Sequence, residues 1–306
     1  MRAAFTLIEL IFVIAVSSIL AVGTFKAMSV LYIRSAKAQA LTDMSLNSQI
    51  LLDEIALHLY NRIPNSVIGY DIASGSCAPI SDLIAGTNYT ILEWLATMDD
   101  ELLERKYDGF IDMGASDRSA NTLSAKNIET GFVDADVNLL FSGAFDAGTE
   151  ESAQACAGAF GWHGNDSKLS YDITLNNPNE IVISDAIEPE YIYEKYYLTK
   201  TAYAVARGAD LNPDDIGNCN SGAYVFPEDA NFSTTLFLFY EYQPFRGETF
   251  CGDRVGTRAG RVSILAEDVS AFEAEYVNET IKISLDMNRS IRGSSAVFIS
   301  KQKAIF

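Results

Sequence analysis

Phe5-Thr6-Leu7-Ile8-Glu9-Leu10-Ile11-Phe12-Val13-Ile14-Ala15-Val16 opens an apolar run that continues to Phe25, and its reading decides how the rest of the chain is understood. Leu10 to Phe25 carries no charge, and the stretch from Phe5 is long enough to cross a bilayer. One carboxylate, Glu9, sits inside the run near its start. An ionisable group at membrane depth costs about 2.5–3.5 kcal/mol on insertion scales, so a partner and a role are expected for it.

The residues around Glu9 carry a resemblance. A short leader with one basic residue, ending at Ala4 and followed by Phe5-Thr6-Leu7-Ile8-Glu9-Leu10, is similar to the N-terminus of type IV pilins and of the pseudopilins of type II secretion. In that family a membrane peptidase cuts before the Phe on the cytoplasmic face, methylates the new amine and leaves the apolar helix as the core of a filament. The resemblance therefore implies cleavage between Ala4 and Phe5, the prepilin peptidase as a partner, and a Glu9 that meets the Phe5 amine of a neighbouring subunit. Ala4 departs from the Gly usual at that place, though Ala is also small. The Pro common in major pilins is also missing, the first being Pro64. The phrases Tyr196–Tyr203, Phe239–Phe245 and Leu265–Tyr276 resemble the larger minor subunits of the J/W type, and the length of 306 residues points the same way.

A secretory signal peptide is the competing reading, with Ala21-Val22-Gly23 as a small-x-small site. A charge inside the apolar region and a leader whose only basic residue is Arg2 both weigh against it. Lys26, Arg34 and Lys37 follow the span, so charge bias does not set its orientation. A cytoplasmic N-terminus and a periplasmic globular domain, anchored in the bacterial inner membrane, are what the resemblance implies.

With 48% hydrophobic residues the chain can bury a sizeable core beyond the helix. Its 22 Lys and Arg against 41 Asp and Glu give a net charge of −19, which argues against a nucleic-acid grip, since phosphate binding needs clustered cations. Cys77, Cys156, Cys219 and Cys251 all lie beyond the span, with no Cys-x-x-Cys and only two histidines, His58 and His163. That spacing does not suit a metal site. Two disulfides are expected in an oxidising compartment, the alternative being four free buried thiols. Of the three pairings, Cys219–Cys251 with Cys77–Cys156 is preferred, because Cys219 and Cys251 flank one strand-like block in Gly/Asn-rich loops.

No Pro interrupts Phe5 to Arg62, which predicts one helix ended by Pro64. Leu41, Met44, Leu52, Ile55 and Leu59 share one face, whereas Leu46, Ile50 and Leu57 fall nearly opposite. Two apolar stripes call for two partners, the chain's own domain and a neighbouring subunit, unless the helix is buried all round. Tyr89 to Arg105 reads as a surface helix closed by Tyr107-Asp108-Gly109, and 109–179 as loops and weak strands around islands such as Val137–Phe141. Trp162-His163 reads as core plus surface. Strand signals then dominate: Leu169–Leu175, Glu180–Ser184, Tyr191–Ala206, Thr234–Tyr242, Arg261–Leu265, Phe272–Val277 and Ile281–Met287, with Asn278-Glu279 as a hairpin turn. The tyrosines of 191–203 read as sheet packing rather than a binding platform.

Hydrolase, P-loop and zinc-protease motifs are absent, and no enzyme is expected. Asp210, Asn212 and Asp214 place oxygen donors at alternate positions, as a calcium loop begins, yet the sixth place lacks Gly and the twelfth is Ser221. A solvated turn is the plainer reading, and otherwise no cofactor is expected. Of five Asn-x-Ser/Thr sites, Asn231 and Asn288 also have an acid two residues upstream, as bacterial N-glycosylation sites do.

The expectation is an α+β, pilin-like fold: 1–4 leader, 5–25 transmembrane half-helix, 26–62 amphipathic half-helix, and 63–306 an antiparallel-sheet domain with long loop insertions. The implied function is a minor subunit at or near a filament tip, partnered by other pilin or pseudopilin subunits. The alternative is a filament-tip or membrane-anchored binding protein. Intact-mass measurement of the membrane form should give a chain starting at Phe5, and Ala4→Lys should block that processing. A chain starting at Thr24 would instead mark a signal peptide.

Overall fold

The computed structural model describes residues 6–145, 156, 160–164, 169–184, 192–211, 232–252, 258 and 260–306. A single helix, α1, spans Leu7–Tyr60, a rise of about 81 Å at 1.5 Å per residue. Thr6 caps it, and its first turn is closed by a capping box with Glu9. At the other end Asn61 is the C-cap, three residues before Pro64, and Arg62 Nη1 donates to the Leu59 carbonyl at 2.8 Å. The same carbonyl also accepts from the Arg62 amide at 3.3 Å, so the side chain reinforces the end of the helix.

Among the described residues fourteen strands follow, with one short helix, α2 (Asp99–Leu103). In chain order they are β1 (Ile68–Asp71), β2 (Ser76–Pro79), β3 (Ile91–Ala96), β4 (Thr122–Ser124), β5 (Asn138–Phe141), β6 (Ser170–Asn177) and β7 (Glu180–Ile183). Then come β8 (Tyr196–Thr199), β9 (Thr201–Arg207), β10 (Leu236–Tyr242), β11 (Arg261–Ala266), β12 (Val269–Val277), β13 (Thr280–Arg289) and β14 (Val297–Ile305). They form three antiparallel sheets, ordered β11-β10-β9-β3-β1-β2, β4-β7-β6-β5-β8 and β12-β13-β14.

The six-stranded sheet is the middle layer. Leu92, Trp94, Val205, Leu236 and Leu238 point to one side, where they pack with Met44, Leu52, Ile55 and Leu59 of α1 and with the three-stranded sheet. Ile91, Leu95, Ala202, Ala204, Phe237 and Phe239 point to the other, against the five-stranded sheet. Both faces are thus dry. This corrects the reading of Tyr89–Arg105 as one surface helix: Ile91–Ala96 is a strand buried along its whole length, and only Asp99–Leu103 is helical. A strand covered on both faces loses the alternation that marks a half-exposed one, so the run mimics a helix.

The run Tyr191–Ala206 is likewise not one strand. Its described part breaks at Lys200, β8 joining the five-stranded sheet and β9 the six-stranded one, so that the chain itself stitches the two layers together. Asn278 and Glu279 do form the predicted hairpin turn, with φ of 51° and 62° between the paired Val277 and Thr280. Two positive-φ residues are what a twisted two-residue hairpin demands.

The third sheet clamps α1 from outside. On β14, Lys301 Nζ donates to the Ser45 carbonyl at 2.6 Å and Lys303 pairs with Asp53. Each lysine lays its aliphatic stem over the helix and ends on a polar group. Leu59→Ala should therefore cost about 2–5 kcal/mol by leaving a cavity under the helix, whereas Leu57→Ala, on the open side, should change stability by less than about 0.5 kcal/mol. Denaturant unfolding of the full chain in detergent, followed by tryptophan fluorescence, measures both.

Candidate assembly surface and a buried carboxylate

The two halves of α1 differ in what covers them. Its buried residues all lie between Ala40 and Leu59, while the apolar side chains from Leu7 to Phe25 are exposed. This N-terminal half is long and apolar enough to cross a membrane. Along the second half the stripe of Met44, Leu52, Ile55 and Leu59 is buried, but Leu46, Ile50 and Leu57 are 59%, 63% and 65% exposed. The helix is not buried all round. Leu41, grouped with the inner stripe by spacing, sits at its margin and stays 43% exposed.

Glu9 stands at the third position of the helix. Its Oε2 accepts from the Thr6 amide at 3.0 Å and the Thr6 hydroxyl at 2.9 Å, and Thr6 Oγ1 accepts in turn from the Glu9 amide at 3.4 Å. The carboxylate therefore also has a local use, at the Thr-x-x-Glu spacing of a capping box: it ties down the first turn and faces the positive end of the helix dipole. Among the described residues Oε1 makes no bond. Ala4 and Phe5 lie outside the described residues.

Of the cysteines, Cys77 on β2 is bonded to Cys156, with Cα atoms 5.8 Å apart. Cys251 is also disulfide-bonded, and Cys219 lies outside the described residues. Asp210 is held by Arg207, whose Nε and Nη2 reach its two carboxylate oxygens at 3.0 and 3.1 Å. Such a fork pairs Asp210 with a cation already present in the chain. Asn212 and Asp214 lie outside the described residues, and no group of three His, Cys, Asp or Glu suited to a metal occurs among the described ones. Of the two acid-preceded sequons, Asn231 lies outside the described residues and Asn288 sits within β13, opposite Phe298.

The structure adds a site that sequence reading missed. Glu93, in the centre of β3, is 1% exposed on the face toward the five-stranded sheet. His163 Nε2 lies 2.6 Å from its Oε1, and the Tyr242 hydroxyl donates to its Oε2 at 2.8 Å. Burial, then the neighbouring carboxylate, pushes the Tyr242 hydroxyl well above its ordinary range, so it remains a donor. His163 is stacked on Tyr70 with ring centres 3.5 Å apart.

Special backbone brings both partners there. On β10, Phe237 and Phe239 face Glu93's side, and strict alternation would turn Tyr242 away. A bulge between Phe239 and Tyr242, with Glu241 at φ 58°, supplies one extra residue and returns Tyr242 to that face. Ala202 and Ala204 of β9 lie between the two, small enough for the tyrosine to reach across. His163 itself has φ 50°. Left-handed backbone is uncommon outside glycine, and two such residues converge on one carboxylate. The available signal was the lone charge in Ile91-Leu-Glu-Trp-Leu-Ala96.

No protein-family model, curated protein or solved structure matches this chain. Glu93→Ala should cost about 3–5 kcal/mol, because it strands the buried Tyr242 hydroxyl and the part-buried His163 ring. Tyr242→Phe removes the buried hydrogen bond to Glu93 and should cost about 1–3 kcal/mol. Urea unfolding of both variants checks this, and a Glu93→Ala protein as stable as the parent would refute it.

Proposed function

We propose that the chain is a minor subunit of the pilin or pseudopilin kind, which joins a type IV pilus or type II secretion filament through α1. Its role is structural rather than catalytic. The observation that carries this reading is the division of α1: a bare apolar half bearing a single carboxylate, continuous with a half that buries one stripe and presents another. A plain membrane anchor needs only the first half. The exposed Leu46, Ile50 and Leu57 on a rigid rod rooted in the domain favour a protein whose helix is itself an interface.

In this reading the prepilin peptidase removes residues 1–4 at the cytoplasmic face of the inner membrane, and the domain stands in the periplasm. Glu9, with Oε1 open, then takes the Phe5 amine of a neighbouring subunit. A carboxylate in hydrocarbon is relieved by an ammonium, and processing supplies one at that depth. The capping box and the intermolecular bond do not compete, since Thr6 uses Oε2.

Glu9→Gln should insert, be processed and fold, yet fail to join its partners, because a buried pair broken on one side costs about 3–5 kcal/mol. Cross-linking in membranes against the parent protein reads this out. Normal co-assembly of the Gln variant, with normal secretion or piliation, would show that the carboxylate does not direct assembly.

A further inference from the structure

The open stripe of α1 does not end with the helix. At Leu57 it runs into a groove of about 500 Å³ between the last turn of α1, α2 and the β8–β9 junction. Its walls are apolar and aromatic. Leu57 and Leu103 stand out from them, Leu103 at 74% exposure, and the rings of His58 and Tyr203 lie 4.8 Å apart. Tyr203 is backed by Trp94 at 5.7 Å, which fixes its orientation.

The charge around this apolar groove is one-sided. Asp99, Asp100 and Glu101 line it, and among the described residues none of their side chains makes an ion pair. Lys200, which also lines the groove, is bound to Asp134 at 2.7 Å. Burial lowers the His58 pKa, which favours the neutral ring. Burial, followed by Asp100 and Glu241, raises the Tyr203 hydroxyl, so negative charge is felt at the ring. An occupant must bring apolar surface and a cation together.

We propose that this groove receives an arginine flanked by apolar residues on a subunit that is not a copy of this chain. A guanidinium suits it better than an ammonium: its flat face stacks on the His58 and Tyr203 rings while its edge forks to the carboxylates. A second copy is the poorer occupant, because two chains of net charge −19 repel one another. That the occupant is a fellow subunit rests on the assembly reading, and the open stripe that leads into the groove makes the two one continuous surface.

The test uses the full-length chain in its own membranes. Leu103→Cys, in the groove, and Leu46→Cys, on the stripe, are each labelled with a benzophenone maleimide and photolysed, and the cross-linked residues are mapped by mass spectrometry. Leu103→Cys should link to an arginine-bearing segment of a different subunit. Adding Asp99→Lys and Asp100→Lys should lower that yield at least about tenfold, through like-charge juxtaposition, while the Leu46→Cys yield holds. Changing the mapped arginine to Glu should restore the yield in the charge-reversed background. A link to a second copy, a mapped segment without arginine, or a yield indifferent to the reversal would overturn the proposal. If Leu46→Cys links to other subunits and Leu103→Cys to none, the groove proposal falls and the assembly reading stands. If neither links, both fall.

Discussion

Everything outside the membrane-length segment depends on one packing contact, the stripe of Met44, Leu52, Ile55 and Leu59 laid on the middle sheet and closed over by β12–β14. Four large side chains of one helix, each almost wholly removed from water, contribute on the order of 1.5–3 kcal/mol apiece by burial alone. The contact does more than stabilise. Because α1 is unbroken from Leu7 to Tyr60, fixing its second half aims its first half, and the exposed apolar residues before Phe25 project from the domain on a stiff rod. Lys301 and Lys303 lock the helix further by ending on Ser45 and Asp53.

How far this was legible in the sequence depends on what each segment touches. The helix could be read because one stripe meets the domain and another meets nothing, so its 3.6-residue period survives. The β12–β13 hairpin could be read for the same reason: its burial alternates along each strand, and Asn278-Glu279 is turn chemistry with a mechanism. In the middle sheet β9, β10 and β11 fall in runs that read as strands, but β3 could not be read. Ile91–Ala96 is enclosed on both sides, and a six-residue run with no polar face carries no period to count. β14 was missed for the opposite reason, since its inward face spends two positions on Lys301 and Lys303, which look like solvent residues until the helix they grip is present.

The candidate site divides along the same line. Glu9 stood out in sequence because a charge in an apolar run is anomalous whatever surrounds it. Its capping partner Thr6 stands three residues upstream, a spacing that is equally legible in sequence. The Cys77–Cys156 pair, which is what remains once loop placement joins Cys219 to Cys251, is present. The Asp210 turn, by contrast, is claimed by Arg207, a neighbour whose reach depends on backbone conformation and not on spacing alone.

Glu93 sets the arrangement of the groups packed around it. A buried polar pair is weak evidence for stability, since apolar side chains of similar volume often do as well. What it adds here is registry. The segment that carries His163 is joined to the middle sheet at two points, by Cys156 to β2 and by His163 to β3, and the bulge on β10 brings Tyr242 to the same carboxylate. Apolar partners would tolerate a one-residue slip of that segment, whereas a carboxylate with two directional partners does not, because any slip leaves it buried and unpaired. The requirement falls on backbone as well as side chains, which is why left-handed residues occur at both His163 and Glu241. A comparable constraint acts at the start of the rod, where the Glu9 carboxylate and Thr6 bond reciprocally and so favour one arrangement of the first helical turn.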